Sequence, residues 1–305
     1  MTIKTNNPGI FQTLIAQLDK IFRHNRQGSF RTKKRYYEAM RRFCRFLADH
    51  YHLQKLANIS GKHLVAYVLY LQEQGLSAAT IKTELAAIRF FHDKMERTKY
   101  RLPSNDDLAV ELERRRFGQT DRTWSNREFN LFVVTCMADG HEDYAAIACL
   151  TWYAGLRIHE CFRIDTATAE QALRENAIII KGKGGKIRTV PIDESIRIEL
   201  KKMLAVTERG HKLFVAGDEL THTAIGRLQQ YIYKVRPQIQ DEGSTHPITH
   251  HGLRHSFAAR TYQELIDSGI SPLNASLRVS QLLGHERPDV TRGYLASIKD
   301  GADGK

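Results

Sequence analysis

Apolar residues recur every three or four positions through most of this chain, a spacing that predicts a protein built largely from helices. Residues 10–24 carry the weakest version of the pattern. From Phe30 to His50 it sharpens: Ala39, Met40, Phe43 and Leu47 share one face, while Arg31, Lys34, Arg35, Arg42 and Arg45 share another, with Glu38 the only acid among them. Ser60 is placed to cap a helix that runs to Gln74 and stops at Gly75. Ser77 is placed to cap the next, with Ile81, Leu85, Ile88, Phe91 and Met95 as its inward stripe and Lys82 and Arg89 together on a different face. Helices of this kind make a compact all-α module with a basic side.

The pattern fades over residues 100–123, where Pro103, Asn105-Asp106-Asp107 and the Arg114–Arg116 run read as a linker. Expected boundaries are therefore 1–105 for the helical module, 106–123 for the linker and 124–305 for a second domain. That domain opens on Ser125-Asn126-Arg127-Glu128, the spacing of a capping box. A helix from about Tyr144 ends at Gly155, and a short helix follows. The period then changes to two: AIIIK (177–181), a Gly182–Gly185 turn and KIRTVPI (186–192) predict a hairpin with a lysine-bearing tip. Further helices are expected near 193–205, 222–236, 250–266, 275–283 and 288–297. The fold class is mainly α with a small β-hairpin.

Charge changes the picture. The chain has 305 residues, of which 42% are hydrophobic and 26% charged, as in ordinary globular proteins. Its 46 Lys and Arg exceed its 34 Asp and Glu, for a net charge of +12. Residues 1–117 hold 22 basic and 11 acidic side chains, leaving 24 and 23 for the rest. A basic half joined to a balanced half points to a polyanion partner, and makes the stripe from Arg31 to Arg45, with Lys82 and Arg89, a candidate phosphate-tracking surface. Cys44, Cys136, Cys149 and Cys161 lie far apart without a CxxC pair, which predicts reduced core residues in the cytosol. The first residues lack an apolar h-region and no window approaches 18 uninterrupted apolar residues, so neither a signal peptide nor a membrane span is expected.

The chemistry concentrates between His250 and Tyr294. His250, His251, His255 and His285 offer imidazoles, Arg254 a guanidinium and Tyr294 a phenol; His251 and Arg254, three apart, share a helix face. Gly284 and Pro288 mark a helix stop and restart between His285 and Tyr294. A fixed arginine beside neutral imidazoles and a phenol suits a dianionic transition state and a nucleophile that must lose a proton, which is phosphoryl transfer. Arg157, at the junction after Gly155, suits a preorganised phosphate clamp, and Lys183, between two glycines, suits a mobile general acid, a role for which Lys181 and Lys186 compete. A zinc reading of the histidines lacks an HExxH motif, a carboxylate at ligand spacing and a cysteine pair, so neither metal nor other cofactor is expected.

The ordered segments AGLRIHE (154–160), KGKGGKIRTVP (181–191), HGLRHSFA (251–258), LLGH (282–285) and VTRGY (290–294) resemble the signature of the tyrosine recombinases, which include phage integrases and Xer-type enzymes. Residues 10–100 resemble that family's helical, SAM-like core-binding module. The resemblance implies a two-domain, C-shaped clamp with a mixed α/β catalytic domain, closing on double-stranded DNA, without the added N-terminal domain of large phage integrases. It implies a homotetramer on two paired sites and a cytoplasmic, nucleoid-associated enzyme. Carried over by position, Arg157 and Arg254 match the two arginines that hold the scissile phosphate, Lys183 the lysine that protonates the leaving 5′ oxygen, and His251 a proton acceptor. His285 matches a phosphate-bonding histidine, Tyr294 the nucleophile of a 3′-phosphotyrosyl link, and Glu160 a buttressing acid. Such an enzyme strands no bond energy, so it needs neither metal nor ATP. Two other readings keep the fold: a DNA-binding regulator that does not cut, and a relaxing enzyme like the type IB topoisomerases. A zinc nuclease comes last.

Overall fold

The computed structural model describes residues 5–24, 30–113, 120–182, 185, 187–244, 246–284, 291, 293–295 and 298; the side chains of His24, Phe30 and Arg31 lie outside that description. The chain divides into two compact units, Met1–Arg115 and Arg116–Lys305.

The first unit contains α1 (Pro8–His24), α2 (Phe30–Tyr51), a 3₁₀ turn (Leu56–Asn58), α3 (Gly61–Glu73) and α4 (Ala78–His92). The stripe expected on α2 is inward: Ala39, Met40, Phe43 and Leu47 are at most 1% exposed. Met40, Phe43 and Leu47 share one core with Leu14 and Leu18 of α1, Leu64 and Tyr67 of α3, and Ile81, Leu85, Ile88 and Phe91 of α4. At roughly 1.5–3 kcal/mol for each large apolar side chain buried, this stripe pattern is what holds the unit together. Ser77 caps α4 by accepting from the Thr80 N–H, and α3 gives way to Gly75 at φ +70°. Met95 lies past the end of α4 but still packs against the core.

Residues 102–113 depart from the linker expected to begin at 106. Leu108 is 8% exposed, and Leu102, Val110 and Leu112 pack on the same core. Three polar side chains of α3 and α4 tie this segment down: Gln72 donates to the Glu111 carbonyl, Lys82 to the Glu113 carbonyl, and Arg89 to the Pro103 carbonyl and Asn105 Oδ1. The packing of the helical unit therefore continues through Glu113, because alternating Leu and Val residues give the segment an apolar side to bury.

The second unit is built around α6 (Glu142–Ala154), ten of whose 13 residues are buried. A helix apolar all round has to be surrounded. It packs against α5 (Asn126–Ala138), α9 (Glu194–Val206) and α11 (His250–Asp267). The predicted capping box opens α5: Ser125 N–H donates to Glu128 Oε2 at 2.8 Å and Glu128 N–H to Ser125 Oγ at 3.1 Å. Two short helices, α7 (Ile158–Cys161) and α8 (Thr166–Glu175), stand where one was expected; Asp165 caps the second.

The hairpin pairs β1 (Ala177–Lys181) antiparallel to β2 (Ile187–Pro191), with Ile178 opposite Val190 and Ile180 opposite Arg188. Ile178, Ile180 and Val190 face the core while Ile179, Lys181, Ile187 and Thr189 face out, the alternation a half-buried strand requires. Helices α10 (Thr221–Ile239) and α12 (Pro272–Leu283) complete the unit. The helix expected at 288–297 falls largely outside the described residues.

Candidate active site

The site begins where α6 stops. Gly155 closes that helix in the left-handed region at φ +60°, and the chain turns so that Arg157 becomes the N-cap of α7. Glu160 locks the turn. Its Oε2 accepts the Arg157 N–H at 2.7 Å, and its Oε1 accepts Arg157 Nη1 at 3.0 Å. Glu160 is 2% exposed, and a second guanidinium meets it there: Arg188 of β2 donates Nη1 to Oε1 at 2.9 Å and Nη2 to Oε2 at 2.7 Å. Burial alone would raise the carboxyl, but the Arg188 fork, the Arg157 N–H and the charge of Arg254 outweigh it and hold the pKa at about 2. Glu160 is thus a permanent anion that fixes Arg157, in keeping with a buttress.

From the other side comes α11, whose first turn is pinned by Trp124. That residue donates its N–H to Ser256 Oγ at 2.7 Å and its indole N–H to the Thr249 carbonyl at 2.9 Å. Gly252 permits the approach, since a Cβ there would lie 2.4 Å from the Arg122 carbonyl oxygen and 2.7 Å from the Trp124 ring. The histidines of this turn have separate partners. His250 is buried, with Nε2 3.1 Å from Thr151 Oγ1 on α6. His251 is exposed on its outer side, yet partial desolvation of its ring, together with the charges of Arg254, Arg122 and Arg157, lowers its pKa to about 4. It is therefore a neutral imidazole near pH 7.

Arg254 has no exposed surface. It donates Nη1 to the Gly155 carbonyl and Nη2 to the Leu283 carbonyl, so it joins the end of α6 to the end of α12. Burial, aided by Arg157, lowers its pKa to about 10, which leaves it charged at neutral pH.

Tyr294 closes a turn with Thr291, its N–H donating to the Thr291 carbonyl at 2.9 Å, and is 9% exposed. Its ring stacks on His255 with centroids 4.2 Å apart and 18° between planes, and lies 5.7 Å from the Arg254 guanidinium carbon. The phenol oxygen and His251 Nε2 share a hydrogen bond at 3.2 Å. Four residues spread from 157 to 294 thus come together: Arg157, His251, Arg254 and Tyr294. An open cavity of about 380 Å³ is lined by three of them, Arg157, His251 and Arg254, together with His159, Tyr233 and Arg236. Lys183, Lys186 and His285 lie outside the described residues.

Of the seven basic positions expected to meet DNA, Lys34 and Arg35 are exposed on α2 and Arg45 is half-buried, while the Arg31 side chain lies outside the description. The other three are engaged within the unit. Arg42 pairs with buried Glu84, which also accepts the Tyr67 hydroxyl at 3.2 Å; Lys82 and Arg89 hold segment 103–113. Replacing Lys34, Arg35 and Arg45 together with alanine is expected to flatten the salt dependence of DNA binding by about one unit of slope for each phosphate no longer neutralised. Titration at several salt concentrations checks this, and an unchanged slope assigns the face to solvent.

The phage integrase family model matches residues 127–300, and the phage integrase N-terminal SAM-like domain matches residues 15–99. The chain belongs to the phage integrase family. Among curated members, the tyrosine recombinase XerD of Oceanobacillus iheyensis is 25% identical over 285 residues, covering 88% of this integrase-family chain and 90% of the relative. The tyrosine recombinase XerC of Bacillus subtilis is 28% identical over 242 residues, covering 75% and 73%. Among solved structures, the XerH site-specific recombinase in its post-cleavage complex with a palindromic difH substrate aligns with a TM-score of 0.61 at 20% identity, over 99% of this chain and 89% of that one. A lambda integrase tetramer bound to a Holliday junction aligns with a TM-score of 0.63 at 15% identity, over 93% and 76%. These likenesses bear out the fold class: a helical SAM-like unit and an integrase-type catalytic unit with a small antiparallel hairpin.

Sequence reasoning missed Arg188, the second partner of Glu160. Strand alternation carried the signal, since Arg188 is two residues from inward-facing Val190 and opposite Ile180. No helix among the described residues is long and apolar enough to cross a membrane.

Proposed function

We propose that this protein is a site-specific DNA recombinase that cuts and rejoins DNA strands through a phosphotyrosyl link at Tyr294. The observation that carries the reading is the convergence of that phenol on a neutral histidine and two arginines within an integrase-family unit. In the forward step the Tyr294 oxygen attacks a backbone phosphorus, its proton passing to His251 Nε2, while the phosphorus–O5′ bond breaks. The reference phenol pKa of about 10 makes such an acceptor and nearby cations necessary at neutral pH. Arg157, with 28% of its side chain exposed, is the guanidinium open to a nonbridging oxygen, held at the ready by Glu160. Arg254 acts from beneath, through its charge and its grip on Gly155. Lys183 is the proposed donor to the departing O5′, and His285 a further hydrogen-bond partner of the phosphate.

One phosphodiester is exchanged for another, so attack by a 5′ hydroxyl of a partner strand reverses the step and joins the strands anew. The reading carries with it a homotetramer on two paired sites and a cytoplasmic, nucleoid-associated setting in a bacterial cell. The DNA-bound relatives and the lambda integrase tetramer on a Holliday junction support the assembly. A recombination assay on plasmids bearing one or two copies of the native flanking site tests it. Strand exchange that requires two sites is expected. Relaxation of a one-site plasmid without exchange would favour a topoisomerase-like enzyme, and binding without any cut would favour a regulator.

A further inference from the structure

Arg188 lies outside the constellation that performs the chemistry, yet its side chain touches several parts that must hold that constellation in register. It stands on β2, two residues beyond Lys186 and five beyond Lys183. Its two terminal nitrogens close on Glu160, the carboxylate that also binds the Arg157 N–H and Nη1. Its stem passes against Gly284: a Cβ on that glycine would lie 3.0 Å from Arg188 Cδ and 3.3 Å from Nη1. Gly284 ends α12 at φ +62°, next to the Leu283 carbonyl held by Arg254 and immediately before His285.

We propose that Arg188 is a positioning residue for strand cleavage, coupling the strand that leaves the Lys183 tip to the Arg157 cap and to the turn that precedes His285. The proposal rests on the recombinase reading above. A two-pronged bond to a buried carboxylate is rigid in direction as well as distance, so displacement of β2 is transmitted to α7. A lysine at this position would keep the charge and lose the direction.

The charges facing Glu160 make the coupling measurable. They are Arg188 on β2, Arg157 at the start of α7 and Arg254 on α11, with His159 beside it in sequence. Removing Arg188 leaves the desolvation of Glu160 opposed by fewer cations, so its carboxyl rises. Protonated Glu160 can no longer accept two bonds from Arg157, and the cap loosens as pH falls.

The test is single-turnover formation of the Tyr294–DNA adduct between pH 5 and 8.5 for wild type, Arg188→Met, Arg188→Lys, Glu160→Gln and Glu160→Gln with Arg188→Met. Thermal melts establish which variants are folded. Arg188→Met is expected to be about tenfold to a hundredfold slower at pH 8, the scale of a small misplacement of reacting groups. It is also expected to lose further activity below pH 7, with an acid limb that wild type lacks. Glu160→Gln in the Arg188→Met background should abolish that limb, because the group that titrates is gone. If Arg188→Met does not fold, Arg188→Lys carries the test, with a smaller rate loss and the limb displaced to lower pH. A folded Arg188 variant with the wild-type rate and pH profile would overturn the proposal, as would a limb that persists without Glu160. Absence of adduct from wild type itself would overturn the recombinase reading and this proposal with it.

Discussion

Replacing Arg254 with methionine is expected to abolish detectable strand cleavage and to destabilise the catalytic unit together. The guanidinium is fully buried and satisfies the carbonyls of Gly155 and Leu283. Methionine fills much of its volume but donates nothing, leaving two interior carbonyls unpaired at about 1–3 kcal/mol each. The same change removes a fixed charge beside the Tyr294 ring and frees the turn that carries Arg157. Preorganised electrostatic stabilisation of a developing anion is worth roughly a hundredfold to a thousandfold for one group, and this variant also loosens the neighbouring arginine. Arg254→Lys should recover part of the stability and little of the rate, since an ammonium cannot reach both carbonyls with one planar fork. Urea unfolding and single-turnover cleavage, measured on the same samples, check the two halves. A methionine variant with the wild-type urea midpoint or the wild-type rate contradicts this account.

Gly155→Ala is expected to be severely damaging although it removes no functional group. The residue sits at φ +60°, where an added Cβ costs roughly 1–2 kcal/mol in backbone energy. That Cβ would also lie 2.4 Å from the Phe257 ring, an overlap that adds about 1–3 kcal/mol. Phe257 belongs to α11 and packs with Tyr294 and Val279, so the ring cannot retreat without disturbing the nucleophile. Cleavage should therefore fall along with stability. Adding Phe257→Leu to Gly155→Ala should return the steric part of the loss and leave the backbone part, and a double-mutant cycle separates the two. Strict additivity of the two changes would show that the overlap with the ring is not the cause.

What the sequence disclosed follows from what is local. The stripe on α2, the Ser125–Glu128 box, the Gly155 stop and the hairpin alternation each depend on neighbours within a few residues, and each is where the pattern put it. Ion pairs made to a buried carboxylate are not local. Arg42 and Glu84 are 42 positions apart, and Glu160 and Arg188 are 28 apart, so nothing in either segment announced that the arginine has an interior partner. Arg89 is the same case: at helical spacing it reads as a base on an open face, and only the path of residues 103–105 shows that face covered. Nothing near Tyr294 marked it as special. Its place among His251, His255 and Arg254 is a property of the tertiary fold, and only the ordered motifs of the family resemblance singled it out.

Covalent capture tests the central claim most directly. Wild type and Tyr294→Phe are expressed in bacterial cells carrying the native flanking DNA, the cells are stopped with denaturant, and protein-linked DNA is recovered and its ends sequenced. The account predicts adducts joined through a 3′ phosphate at a discrete locus for wild type and none for Tyr294→Phe, with both proteins folded and bound to that DNA. Adducts of equal yield from the phenylalanine variant would show that another residue is the nucleophile, and no adduct from either protein despite binding would show that this fold recognises DNA without cutting it.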